Sequence, residues 1–179
     1  MTVFKALLMD EAALIRAIRR ISHEIVEKNG GVENVCIIGI KRRGIPLAQM
    51  IADNIELIEN KKIPVGSVDV TRFRDDSADI YSDQSADGVQ IDFDITDKKV
   101  ILVDDVLYTG RTVRAALEAI MKSARPAAVQ LAVIIDRGHR ELPIRGDYVG
   151  KNVPTSKNEK VRVKISPYDD YLAVELYEG

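Results

Sequence analysis

With 179 residues, 46% of them apolar and 30% charged, the chain suits one globular domain with a sizeable core, and two independent domains would be a squeeze. A formal net charge of -2 argues against a generally basic nucleic-acid binder, and a lone cysteine, Cys36, rules out an internal disulfide. No run approaches the roughly 18 apolar residues of a membrane span, and MTVFKALLMDEAAL has no long apolar signal region, so no membrane and a cytoplasmic location are expected. In chain order, Asp10 can N-cap a helix running to about Lys28, which Asn29-Gly30-Gly31 ends. Val35–Ile40 reads as a fully buried strand that holds Cys36 as an inert core residue. The charged turn Lys41-Arg42-Arg43-Gly44 leads into a helix from Ile45 to about Ile58, with Pro46 tolerated in its first turn. Pro64–Val70 reads as a second strand. Residues from about 73 to 97 read as a long mobile excursion, and strand Val100–Val103, helix Arg111–Ser123 and strand Val129–Ile135 follow. Val161–Ile165 and Leu172–Tyr177 suit short edge strands. Apolar strands alternating with helices predict an α/β fold, with a mostly parallel sheet covered on both faces.

Charge is unevenly spread. Between Asp69 and Asp97 there are nine Asp, no Glu and only Arg72 and Arg74, so an anion-binding face must lie elsewhere. Around the first helix, at about 100° per residue from Arg16, Arg20 falls near +40°, His23 near -20° and Arg19 near -60°. Leu14, Ile18, Ile21 and Ile25 gather on the opposite side. One face is core and the other is cationic, either as a solvated surface or as a docking face for phosphates.

The most informative string is KVILVDDVLYTGRTV, from Lys99 to Val113. A buried strand meets two acids, then a short Thr/Gly loop, then a helix. The loop Leu107–Thr112 aims amides and the hydroxyls of Thr109 and Thr112 at a helix N-terminus, where the dipole favours an anion. Gly110 allows close backbone approach. Asp104 and Asp105 are poised to accept hydrogen bonds from vicinal hydroxyls beside that anion, and a sugar phosphate meets both demands. No GxxxxGK[ST] string occurs, which excludes a Walker loop.

This string resembles the signature of type I phosphoribosyltransferases almost position for position. The chain as a whole resembles their PyrR family, most specifically in QLAVIIDRGHRELPIRGDYVGKNVPTS, from Gln130 to Ser156. The resemblance implies one domain over 1–179 with a flexible hood loop at about 73–97, and a substrate, 5-phosphoribosyl-1-pyrophosphate (PRPP), that carries Mg²⁺ on its pyrophosphate without a protein cage. It implies that Asp104 and Asp105 hold the ribose hydroxyls within a catalytic centre. Val106, Leu107, Tyr108, Thr109, Gly110, Arg111 and Thr112 would wrap the 5′-phosphate. Lys41, Arg42, Arg43 and Gly44 would meet the pyrophosphate, with Arg43 and Lys41 the preferred contacts, although three cations in a row also suit a solvated turn. Arg74, in the excursion, would reach the leaving group; the excursion departs from the relatives in its acidity.

Asp136 and Arg137 would sit beside uracil, or else pair with each other to fix a turn. The resemblance further implies a homodimer or higher oligomer whose groove binds leader mRNA of pyrimidine genes through Arg19, Arg20, His23, Arg140, Arg145 and Lys151. Arg19 stands where the Bacillus-type pattern has threonine. The expected function is UMP- or UTP-dependent transcription attenuation, together with uracil phosphoribosyltransferase activity. The alternative is a purine or orotate salvage enzyme without RNA binding.

Overall fold

The computed structural model describes residues 2–71 and 88–179. Its central sheet has six strands in the order β4-β3-β2-β5-β6-β7. These are β2 (Val35–Ile40), β3 (Val65–Val68), β4 (Val89–Gln90), β5 (Lys99–Leu107), β6 (Ala128–Asp136) and β7 (Tyr148–Asn152). All pairings are parallel except β3 with β4, as expected for a mostly parallel sheet.

Among the described residues, three helices cover it. α1 (Glu11–Asn29) starts where the Asp10 carboxylate accepts from the Ala13 amide at 2.8 Å, and it stops at Gly30 in the left-handed region. α2 (Gly44–Glu59) follows β2 directly, and α3 (Arg111–Ser123) follows β5. The strands are apolar on both faces because both faces are covered. Ile37, Ile101 and Val103 pack with Leu14, Ile18 and Ile21 of α1 and Leu47 and Ile51 of α2. Cys36, Ile38, Val100 and Leu102 pack with Val113, Ala116 and Ile120 of α3. Burial pushes the Cys36 thiol up to about 11, which keeps it protonated and inert.

A second, three-stranded antiparallel sheet runs in the order β1-β9-β8, from β1 (Val3–Met9), β8 (Glu159–Lys164) and β9 (Ala173–Glu178). This corrects two expectations. The C-terminal strands do not edge the main sheet; they pair with an N-terminal strand that the helix signal at Asp10 overshadowed. Of the expected excursion, 73–87 lies outside the described residues, and 88–97 does not form one. Val89, Ile91, Phe93 and Ile95 alternate with outward polar residues and pack onto the α3 side of the core, so 88–97 is a docked segment. The acids Asp92 and Asp94 between them had disguised that period of two.

Among the described residues no helix is long and apolar enough to cross a membrane.

Candidate functional site

The sheet order reverses between β2 and β5: the chain leaves β2 toward β3, then returns to place β5 on the other side. Ligands of open α/β sheets bind at such a switch, beyond the carboxyl ends of the strands. Gly39 of β2 is level with Val103 of β5, so the turn at 41–44 and the loop at 108–110 leave the same edge side by side. Two glycines make that closeness possible. A Cβ on Gly44 would lie 2.4 Å from the Val103 carbonyl oxygen, and one on Gly39 would lie 2.5 Å from that of Gly44.

At the head of α3, Gly110 has φ 92 and, as the cap residue, brings no side chain to the first-turn amides. The Thr109 carbonyl is pinned by the amides of Glu141 and Leu142 at 2.9 and 3.2 Å. Its hydroxyl accepts from the Arg111 amide at 3.2 Å. The Arg111 side chain is drawn toward Glu141, with Nε–Oε2 at 2.6 Å. An anion here is therefore met by the first-turn amides and the dipole of α3, not first by a guanidinium.

Asp104 and Asp105 lie inside β5 and not beyond it, because the β6 ladder continues past Val103, with Asp104 level with Val133 and Leu107 level with Asp136. Asp104 is buried, and its carboxylate accepts from the Asp105 amide at 2.9 Å. Burial, and then the neighbouring Asp105 charge, push the Asp104 carboxyl well above the usual carboxylate range. Two acids sharing one polar corner in this way suit sugar hydroxyls, which can donate to both, and a cation, which relieves their repulsion. Among the described residues no cluster of three or more His, Cys, Asp or Glu is placed to hold a metal.

The register of β5 and β6 brings a third group to the same edge. The Arg137 amide donates to the Leu107 carbonyl at 3.1 Å. Asp136 does not pair with Arg137; it accepts from the Gly138 amide at 3.0 Å and from Arg140 Nη2 at 2.6 Å. Arg137 is buried, donates to Thr155 Oγ1 and the Ser156 carbonyl at 3.1 and 3.0 Å, and lies 4.0 Å over the Tyr108 ring. His139 meets Tyr108 edge-on, with ring centroids 5.7 Å apart. Arg137, Tyr108 and His139 thus form a partly buried cluster, with the guanidinium over the Tyr108 ring and the imidazole edge-on to it. His139 and Thr155 had not been singled out; only the fold brings them to this corner, since they lie 30 residues or more from Tyr108 in sequence.

The basic turn is rearranged relative to expectation. Lys41 pairs with Asp69 at 3.2 Å. Arg43 points to the small sheet, donating to the Val163 carbonyl at 2.8 Å and to Asp169 at 3.1 Å. Two of the Arg43 nitrogens, Nε and Nη2, are thus engaged inside the protein. Arg42 is exposed and, among the described residues, the one cation of this turn with no side-chain partner. Arg74 lies outside the described residues.

The cationic face of α1 is present. Arg16, Arg19, Arg20 and His23 are exposed, while Leu14, Ile18, Ile21 and Ile25 are fully buried. Arg20 reaches β7, donating to the carbonyls of Val149 and Gly150 at 3.1 and 2.7 Å, and Lys151 is exposed on the same strand. Arg145 is exposed as well. Arg140 is different: it is only partly exposed and spans the Tyr108 carbonyl, at 2.7 Å, and Asp136, so it belongs to the nucleotide corner.

Comparison with known proteins gives a consistent result. Residues 8–168 match the family model described as a phosphoribosyl transferase domain. A protein of Acetivibrio thermocellus called bifunctional protein PyrR is 62% identical over 96% of this chain and 94% of its own. Proteins of the same name from Clostridium botulinum and Clostridioides difficile are 57% and 55% identical, each over 98% of this chain and covering 97% and 99% of their own length. Among solved structures, the hypoxanthine phosphoribosyltransferase of Trypanosoma cruzi superposes with a TM-score of 0.74 over 98% of this chain and 97% of its own, at 17% identity. A hypoxanthine-guanine phosphoribosyltransferase from Bacillus anthracis gives 0.69 over 96% and 97%, at 20% identity. At such identities the solved structures speak for the fold alone.

Proposed function

This chain belongs to the PyrR family of type I phosphoribosyltransferases, and from that premise we propose that it couples synthesis and sensing of UMP to the binding of pyrimidine leader mRNA. The observation that carries the proposal is the convergence of three groups on one sheet edge: the first-turn amides of α3, the Asp104–Asp105 pair and the cluster of Arg137, Tyr108 and His139. They match a phosphate, a ribose and a planar base in the order in which a nucleotide carries them.

In the reaction, uracil N1 bonds to C1 of PRPP as the C1–O bond to pyrophosphate breaks, and the N1 proton is lost. The α3 amides fix the 5′-phosphate, and the two acids orient the ribose and stabilise positive charge developing at C1. The backbone of 41–44 and the side chain of Arg42 face the departing pyrophosphate, and Arg74 is a further proposed contact. Mg²⁺ bound to the pyrophosphate, when present, would neutralise part of its charge; Asp104 and Asp105 are the acids nearest to it. Arg137 and the backbone at Asp136 read the uracil edge.

The regulatory half rests on exposed Arg19, Arg20, His23, Arg145 and Lys151. β6 and β7 are paired, with Asp136 level with Asn152 and Ile135 level with Lys151, and the Val153 amide donates to the Asp136 carbonyl at 2.9 Å. The base corner and the RNA-facing strand therefore share one ladder. UMP, or UTP, favours the RNA-binding state in a cytoplasmic homodimer and shifts the transcript toward termination. A steady-state assay with PRPP and a panel of bases tests the enzymatic half. Uracil turnover is expected; turnover of hypoxanthine or orotate with none of uracil would contradict it.

A further inference from the structure

The basic turn at 41–44 carries three adjacent cations, which repel one another and would splay the turn in the absence of partners. Two are neutralised, by different parts of the molecule. Lys41 is held by Asp69, an exposed pair of little worth in itself. Arg43 is held far more firmly. Its Nε donates to the Val163 carbonyl of β8 and its Nη2 to Asp169, and its guanidinium lies 5.5 Å over the Tyr168 ring.

Asp169 is correspondingly committed. Its side chain is about nine-tenths buried, and it accepts from the Ile165 amide at 3.1 Å as well as from Arg43, with Lys164 at 3.3 Å. Burial alone would raise its carboxyl, but the Ile165 amide, Arg43 and Lys164 outweigh burial and hold it below the usual range. A carboxylate fixed on three sides makes a rigid anchor. The anchored residue, Arg43, immediately precedes Gly44, the residue whose lack of a Cβ lets the turn lie against Val103 beside Asp104.

We infer that Asp169 is a positioning residue for the pyrophosphate site: by clamping Arg43 to the small sheet it sets the backbone of 41–44 and frees Arg42 to meet the anion. The clamp also ties the small sheet to the turn at the main-sheet switch point. The inference rests on the proposed reading of 41–44 as the pyrophosphate turn.

The test is calorimetric titration of the full-length protein with three probes, PRPP with Mg²⁺, pyrophosphate with Mg²⁺, and UMP. Asp169→Asn should weaken PRPP and pyrophosphate binding about tenfold and leave UMP binding within about twofold, because UMP does not reach 41–44. One lost charge-assisted hydrogen bond has an effect of that order. Arg43→Lys, which keeps the charge but cannot span both Val163 and Asp169, should give the same selective loss. Asp169→Asn added to Arg43→Lys should cost nothing more.

Equal weakening of UMP and pyrophosphate would mark a merely structural role and overturn the inference, as would unchanged pyrophosphate affinity in both single variants. If Asp169→Asn does not fold, the Arg43→Lys titration decides alone. Wild-type protein that binds UMP but neither PRPP nor pyrophosphate would instead remove the reading on which the inference rests.

Discussion

The proposed sugar-phosphate cradle and the cationic face of α1 and β7 both suit anions, yet they are built by opposite means. The cradle uses backbone amides at the head of α3, a left-handed Gly110 and two acids inside β5, and it draws the guanidinium of Arg111 toward Glu141. The other face uses exposed side chains, Arg16, Arg19, Arg20, His23 and Lys151, on an amphipathic helix and a short strand. A small ligand is read by fixed dipoles in a partly buried corner, where geometry gives selectivity. On the proposed reading a long polyanion is met by exposed charges in water, where the strength of contact depends on salt.

That contrast can be broken in four ways. The largest effect is expected from Asp105→Asn: uracil turnover should fall by at least about 100-fold, while RNA binding without nucleotide stays unchanged in a gel shift. Parallel loss of both would show that the two regions are not separate. Next, raising salt from about 50 to about 200 mM should weaken RNA binding roughly 100-fold if about five cations contact phosphates, and UMP affinity should change far less. Equal salt slopes for the two ligands would erase the distinction.

Arg20→Gln should lower RNA affinity about tenfold and spare UMP synthesis; filter binding and the turnover assay read the two arms. The smallest effect sharpens the electrostatics of the cradle. Because burial and Asp105 raise the Asp104 carboxyl in the folded state, the folded protein holds a proton there that the unfolded chain releases. Stability contributed at this position is therefore greatest below the ordinary carboxylate range and falls as pH rises toward the raised value. Asp104→Asn should flatten that slope and raise the ligand-free Tm near neutral pH, by about 2–4 °C for each ~1 kcal/mol relieved. A Tm lowered by the substitution would contradict the direction of the shift.

Parts of this architecture are legible in local patterns. Val35–Ile40 and Arg111–Ser123 coincide with β2 and α3 because a six-residue apolar run and a 3.6-residue apolar period each allow one sensible assignment. Asp104 and Asp105 hid the last four residues of β5, since acids ordinarily end a buried strand, and here the β6 ladder overrides that preference. β1 was missed because it is an edge strand with Val3, Phe4 and Leu7 exposed, so no alternation marks it. β7, with Gly150 and Lys151 at its centre, carries too little apolar sequence to declare itself.

At the site, the amide cradle and the acid pair could be read from one continuous string. The fates of Arg43 and Arg140 could not. Their partners lie on β8, at Asp169 and at the Tyr108 carbonyl, and only the tertiary fold decides which partners a surface-type cation finds within the protein.

The most direct test is a titration of pyrimidine leader RNA against the protein at low salt, with and without saturating UMP. Filling the corner formed by α3, the Asp104–Asp105 pair and Asp136 should tighten RNA binding by a measurable factor, and Asp105→Asn should abolish the difference without abolishing basal binding. Identical RNA affinity with and without UMP, in protein shown to bind UMP, would contradict the coupling.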